Sequence, residues 1–242
     1  MTTISICLIG KNEKDYFLKE CVESAIKFSD EIIYVDTGST DGTIQWLEQN
    51  YPQVKIFYKT WTKPQDYTTI RNFAVQQATK EYVFSMDCDE VLSDDAYLIR
   101  EQLKQSPEID CWDVQGKHFM YHLGFEDASY REHWWINRIF KNNSIIKYPD
   151  NMAHGLPSFF KSHGKLKGNF IYHYGYMRNQ ISNLNRYESN MQKLEIHTSE
   201  YLALWLKSHL TGNYPLKQVD LSEHPELIKK KFYFERWHNE KA

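Results

Sequence analysis

The sequence is poor in cysteine, has no long apolar run and shows no excess of either charge. Each absence removes a class of protein. Lys and Arg number 29 against 32 Asp and Glu, for a net charge of −3. No overall basic field is available to draw in nucleic acid. The four cysteines, Cys7, Cys21, Cys88 and Cys111, are spaced by 14, 67 and 23 residues. These spacings fit neither a CxxC pair nor a zinc site, and they read as reduced thiols in a cytosolic protein. No stretch approaches the ~20 apolar residues a membrane span requires. The opening TISICLIG is too short for a secretory h-region and has no basic segment before it. The expected location is cytoplasmic, or peripheral at a membrane. No internal repeat or low-complexity segment is visible. What is present is 242 residues, 41% of them apolar, enough to bury the core of one α/β domain, alone or with a small appendage. Aromatics reach 15%, with 17 Tyr and 7 Trp, which suits ring-lined grooves as well as a core.

The first half alternates between two hydrophobic periods. Short apolar runs at 3–9, 31–36, 54–58 and 82–86 read as buried strands. Between them, 15–28, a segment starting near Thr43, and 67–79 carry apolar residues at helical spacing. Such alternation predicts a mostly parallel sheet with helices on both faces. The second half is more β-prone and aromatic. Residues 111–122 and 130–140 predict antiparallel strands over the cleft, and 167–176 another strand. From Ile181 through Leu184, Tyr187, Met191 and Leu194 the period turns helical. A second helix is expected through Ala203, Leu204, Leu206 and Leu210, and a last one near Ser222 with Pro225 in its first turn.

Two carboxylates stand where such a sheet binds ligands, beyond the carboxyl ends of its strands: Asp36 closes one apolar run and Asp87 another. Asp87-Cys88-Asp89-Glu90 places two carboxylates two residues apart, able to act together on one hard cation such as Mg²⁺ or Mn²⁺. The plainer reading is an acidic helix start. In VDTGSTDGT at 35–43, Gly38 and Gly42 allow a sharp turn. Asp36 could accept from a base N–H or a ribose hydroxyl. A strand–helix turn capped by Thr40 or Asp41 explains the loop without requiring an Asp at the strand end.

The string SICLIGKNE…CVESA…DEIIYVDTGSTDGT, followed by RNFA…YVFSMDCDE, resembles family 2 glycosyltransferases over roughly residues 3–95. It is most similar to the compact subgroup of lipopolysaccharide-core glucosyltransferases and bacteriocin-peptide glycosyltransferases. Arg138-Ile139-Phe140 and Tyr172-His173-Tyr174-Gly175-Tyr176 match that subgroup's later R-x-F and Y-H-x-G-Y blocks. The resemblance implies a GT-A fold with a Rossmann-like, mostly parallel central sheet. It implies inverting transfer from a nucleoside-diphosphate sugar, UDP-linked by preference, with Mn²⁺ or Mg²⁺ as cofactor. By motif position Asp36 would contact the nucleoside, and Ile9, Lys11, Asn12 and Glu13 would border base and ribose. Arg71 would lie near the base or diphosphate. Asp87 and Cys88 would face the donor, and Asp89, with Asp87 and His173, would hold the metal. Residues 1–110 would form the nucleotide-sugar-binding half, 111–178 the acceptor-binding and metal-completing half, and 179–242 a C-terminal helical extension.

One departure concerns the base that takes the acceptor's proton. The subgroup often carries a His-Glu pair after the R-x-F block, whereas this chain has Met152-Ala153-His154-Gly155. Asp150 and His154 are the favoured candidates, ahead of Glu132 and the Glu126-Asp127 pair. The acceptor would be a glycan, a lipid-linked glycan, a peptide or a modified nucleic acid. The basic, aromatic stretch IKKKFYFERW at 228–237 keeps a transferase acting on modified DNA bases in play. A metal-dependent nucleotidyltransferase is a further alternative, but Gly10-Lys11-Asn12-Glu13 is a poor match to its phosphate loop.

Overall fold

A computed structural model describes residues 2–61, 67–120, 123–128, 134–143, 145–149, 157–177 and 216–231. Structural statements concern these residues. The first half follows the predicted alternation: β1 (Ile4–Gly10), α1 (Leu18–Phe28), β2 (Glu31–Asp36), α2 (Thr43–Asn50), β3 (Lys55–Tyr58), α3 (Tyr67–Gln77) and β4 (Tyr82–Asp87). β1 lies between β2 and β4, parallel to both, and β3 extends β2 in parallel. Strands covered on both faces read as nearly continuous apolar runs, and ISICLIG and EIIYVD carry them, interrupted by Ser5 and bounded by Glu31 and Asp36. Alternate side chains then feed two separate cores. Ile6, Leu8, Tyr34 and Phe84 pack against Leu18, Val22 and Ala25 of α1, while Cys7, Ile33, Val35 and Val83 pack against Ile70 and Ala74 of α3.

The expectation of strands over the cleft is corrected. β8 (Trp134–Lys141) pairs antiparallel with β4, and β6 (Cys111–Met120) pairs antiparallel with β8. Both continue the central sheet instead of covering it. The reason lies in the free edge of β4, whose backbone groups must find partners once buried. β6 carries β9 (His163–Tyr176) in parallel on its other side, and β9 also takes up β5 (Glu90–Leu92) in antiparallel pairing. The 10-stranded sheet therefore mixes parallel and antiparallel ladders. The sequence reading assigns nothing to β5, to α4 (Tyr97–Gln105), to β7 (Phe125–Asp127) or to β10 (Leu216–Gln218). For α4 the signal was present, since Ile99 and Leu103 lie one turn apart and both are fully buried.

The last described segment returns to the first. Val219 and Ile228 join Phe17, Phe119 and Tyr174 in a third apolar cluster. The Tyr174 hydroxyl lies 2.9 Å from His224 Nδ1, and the Leu123 carbonyl accepts from His224 Nε2 at 2.9 Å. Lys231 reaches Glu20 of α1 at 3.1 Å. The helix expected near Ser222 is two pieces: a 3₁₀ turn at Leu221–Glu223, capped by Asp220, and a helix over 226–231. Pro225 has no N–H to continue the first turn, and its carbonyl instead accepts from Ile228 at 2.9 Å. The helices expected between Ile181 and Leu210 lie outside the described residues. Among the described residues no helix is long and apolar enough to cross a membrane.

Candidate active site

Register places the two strand-end carboxylates on either side of β1, because Asp36 pairs with Gly10 and Asp87 with Ile9. Adjacent strands lie about 4.8 Å apart, so both side chains leave the same end of the sheet. Gly10 between them is required for packing: a Cβ there would collide with the Tyr34 ring and come within 3.0 Å of Cys88 Sγ.

Asp36 is consumed by its own loop. Its carboxylate accepts from Gly38 N at 3.0 Å, from Ser39 N at 3.0 Å and from Ser39 Oγ at 2.5 Å. The turn does use an aspartate at the strand end, contrary to the simpler reading of 35–43, because a carboxylate satisfies successive N–H groups that the turn leaves orphaned. Asp41 then accepts from Thr43 N at 2.9 Å at the start of α2. The loop is tied to the one after β1. Asn12, in the left-handed region at φ 58°, donates its N–H to Ser39 Oγ and accepts from Thr40 N at 2.8 Å. Thr43 Oγ1 accepts from Glu13 N and Lys14 N, both at 3.1 Å.

Asp87 is held by residues far away in the chain. Arg71 of α3 donates to its Oδ1 at 2.9 Å, and Arg138 of β8 to its Oδ2 at 3.1 Å. Arg138 also reaches Glu90 at 2.6 Å, and Glu90 accepts from the backbone N–H of Asp87 at 2.9 Å. Both arginines are buried, while the Asp87 side chain stays 38% exposed, so one carboxylate faces solvent with two cations behind it. Burial would raise its pKa, but Arg138 and Arg71 outweigh burial and hold it well below the usual carboxylate range. Glu90, fully buried, is pushed up to about 7 by burial against the pull of Arg138, with the charge of Asp87 adding to the rise.

Beside this pair Asp89 and His173 face each other across a narrow gap. Antiparallel pairing sets Glu90 opposite His173, and the Asp89 carbonyl accepts from Tyr174 N at 2.9 Å. The Asp89 carboxylate is thereby held 3.4 Å from His173 Nε2. On the far side, His118 Nδ1 lies 2.9 Å from His173 Nδ1. Burial opposes a charge on His173, but Asp89, Glu90 and Asp87 outweigh it and raise the pKa above the ordinary histidine value. Burial, reinforced by His173 and Arg138, keeps His118 well below it. Gly175 leaves room beside this gap, since a Cβ there would come within 2.6 Å of Asp89 Oδ2 and 2.8 Å of His173 Nε2. A carboxylate and an imidazole across a gap that only glycine leaves clear are a fitting donor set for a divalent cation. Among the described residues no three His, Cys, Asp or Glu side chains form a closed metal cage. The pocket therefore suits an ion that takes its remaining ligands from a substrate or water.

The other expected residues fall as follows. Ile9 is half-buried and its carbonyl accepts from Cys88 Sγ at 3.2 Å. Cys88 is buried. Lys11 is exposed and Glu13 buried, both in the loop after β1. Arg71 points to Asp87 and Ser85, with its guanidinium 5.6 Å from the Tyr148 ring centroid. Asp150, His154 and Glu132 lie outside the described residues. Glu126 is on β7, 3.3 Å from Lys217, and Asp127 beside it is buried. The sequence reading gave no role to Glu90 or His118, noted Arg138 only as part of a block, and took Gly175 as a place where backbone can approach a ligand. Arg138 and Gly175 were findable there. His118 was not, because its partner lies 55 residues on.

The family model of glycosyl transferase family 2 matches residues 5–162. The lipopolysaccharide core biosynthesis glycosyltransferase LpsC of Rhizobium meliloti is 33% identical over 135 residues, 53% of this chain and 47% of that protein. The chain spans about half the length of the curated relatives it matches. Among solved structures, S. aureus TarS 1-349 in complex with UDP-GlcNAc aligns with a TM-score of 0.55 at 15% identity, over 80% of this chain and 65% of that one. The mannosyltransferase PcManGT from Pyrobaculum calidifontis, in complex with GDP-Man and Mn²⁺, aligns at 0.50 and 14% identity, over 79% and 62%. The fold is that of the GT-A glycosyltransferases.

Proposed function

The chain belongs to glycosyl transferase family 2, and on that premise we propose that it is an inverting, metal-dependent glycosyltransferase moving a sugar from a UDP-sugar to a hydroxyl acceptor. The observation that carries this reading is the pocket between Asp89 and His173, kept clear by Gly175 and set beside the arginine-backed carboxylate of Asp87. Asp89 and His173, with Asp87 adjacent, would hold Mn²⁺ or Mg²⁺. Such an ion, when bound, neutralises charge on the departing nucleoside diphosphate. UDP is preferred as the nucleotide because the TarS neighbour was captured with UDP-GlcNAc.

The chain's own residues then have distinct tasks. Arg71 and Arg138 keep Asp87 ionised, so its exposed face can accept from a ribose hydroxyl. The cross-linked loops at Asn12 and Asp36–Thr43 would form the rim for base and ribose, with Lys11 on its outer side. The acceptor oxygen bonds to the anomeric carbon as the bond to the diphosphate breaks on the opposite face, which inverts the centre. The hydroxyl proton passes to a base, for which Asp150 and His154 remain the proposed residues. Residues 111–178 would shape the acceptor side, and a glycan, a lipid-linked glycan or a peptide would suit it.

The test is cation-dependent donor use. The purified chain, given a panel of UDP- and GDP-sugars with and without Mn²⁺, is expected to release UDP from one UDP-sugar only when the cation is present. The same donor is expected to raise the melting temperature, as any ligand selective for the folded state does. Absence of cation-dependent release and of any thermal shift across the panel overturns the assignment.

A further inference from the structure

The paired imidazoles of His118 and His173 raise a question that the cation pocket alone does not answer: which nitrogen of His173 carries the proton. β6 and β9 are in register at these residues, which brings the two Nδ1 atoms within 2.9 Å of each other. Their rings meet edge-on, with centroids 4.6 Å apart and planes at 67°, and Tyr176 lies against both. Two N–H groups cannot face each other at that distance, so one Nδ1 donates and the other accepts. A neutral imidazole has one N–H and one lone pair. With the shared proton on His118, a neutral His173 would carry its own on Nε2. That N–H would point at Asp89 Oδ1, 3.4 Å away, and no lone pair would face the pocket.

We propose that His118 is a positioning residue that accepts a hydrogen bond from His173 Nδ1–H, fixing the His173 tautomer whose Nε2 lone pair faces the pocket beside Asp89. The inference rests on the cation reading given above and adds to it the group that makes His173 a ligand. Metal-ligating histidines depend on such a partner at the other ring nitrogen, and its loss typically costs about 10–100-fold in metal affinity. Gly175 contributes on the opposite side, because any side chain there would block the nitrogen that His118 has freed.

The experiment reads cation uptake directly, from the electron-paramagnetic signal of free Mn²⁺ titrated with the full chain and UDP. H118L, which cannot accept, is expected to weaken Mn²⁺ uptake by about 10–100-fold. H118N, whose side-chain oxygen can take the place of Nδ1, is expected to retain most of it. In the cation-free protein, imidazole ¹⁵N NMR is expected to show a lone pair on His118 Nδ1 and the proton on His173 Nδ1. Equal uptake by H118L and wild type overturns the proposal, as does equal loss in H118L and H118N or the proton residing on His118. If wild type with UDP takes up no Mn²⁺, the cation reading fails and this proposal falls with it. If wild type takes up Mn²⁺ and H118L does so equally well, only this proposal fails.

Discussion

Asp36 and Asp87 occupy equivalent places, each the last residue of an apolar parallel strand, yet the chain treats them in opposite ways. Asp36 is 4% exposed and bonded to residues two and three positions ahead. Asp87 keeps 38% of its side chain open and is gripped by arginines 16 and 51 positions away. The first carboxylate organises backbone. The second is backed by positive charge and left facing outward. An acidic residue at a strand end is thus one signal with two uses, and the distance to its partners along the chain tells them apart.

The largest expected contrast comes from the neighbour of Asp87. Substituting Asp89→Asn is expected to lower kcat by about a thousandfold or more, since cation-borne charge stabilisation is worth several kcal/mol. Circular dichroism should stay near wild type, and the melting temperature should fall less than in the arginine variant below. Retention of cation-dependent donor turnover in D89N would remove the metal from this site. Next, Arg138→Ala strips the buried Glu90 and the half-open Asp87 of a shared cation. Breaking a buried pair on one side costs about 3–5 kcal/mol, so chemical denaturation should show a large loss of stability together with lost turnover. The smallest effect is expected at Asp36→Ala, where the loop loses a capping acceptor worth about 1–2 kcal/mol. Stability should fall by that amount, and donor KM should rise more than kcat falls. If D36A instead matched D89N in kcat with unchanged stability, the comparison would break, and Asp36 would have to touch the donor.

The same local-versus-distant division governs what the sequence discloses. β1, β2 and β4 are legible because burial on both faces favours nearly continuous apolar runs, and ISICLIG, EIIYVD and YVFSM are mostly apolar. The loop at 35–43 is legible for the same local reason, although the share taken by Asp36 was underrated. β5 and β10 are three residues each, too short to set up any period, and exist only because β9 and β7 offer them an edge. The placement of 111–122 and 130–140 differs from the expectation because β-prone, aromatic composition states that a strand forms, not which edge it joins. At the site, Asp87 and Asp89 stand out in the sequence. The arginine pair and the His118–His173 contact depend on strand order, which no short motif encodes.

The four cysteines have a practical consequence. All are buried and unbridged, and burial drives the thiols of Cys7, Cys21, Cys88 and Cys111 upward, that of Cys111 to about 12. A thiol must ionise and be reached before it reacts, so the folded chain should be inert to alkylating reagents. Cys88, bonded to the carbonyl of Ile9 beneath the loops proposed as the donor rim, then becomes a built-in clock. Its rate of labelling counts how often that end of the sheet comes apart, and a bound nucleotide should slow it.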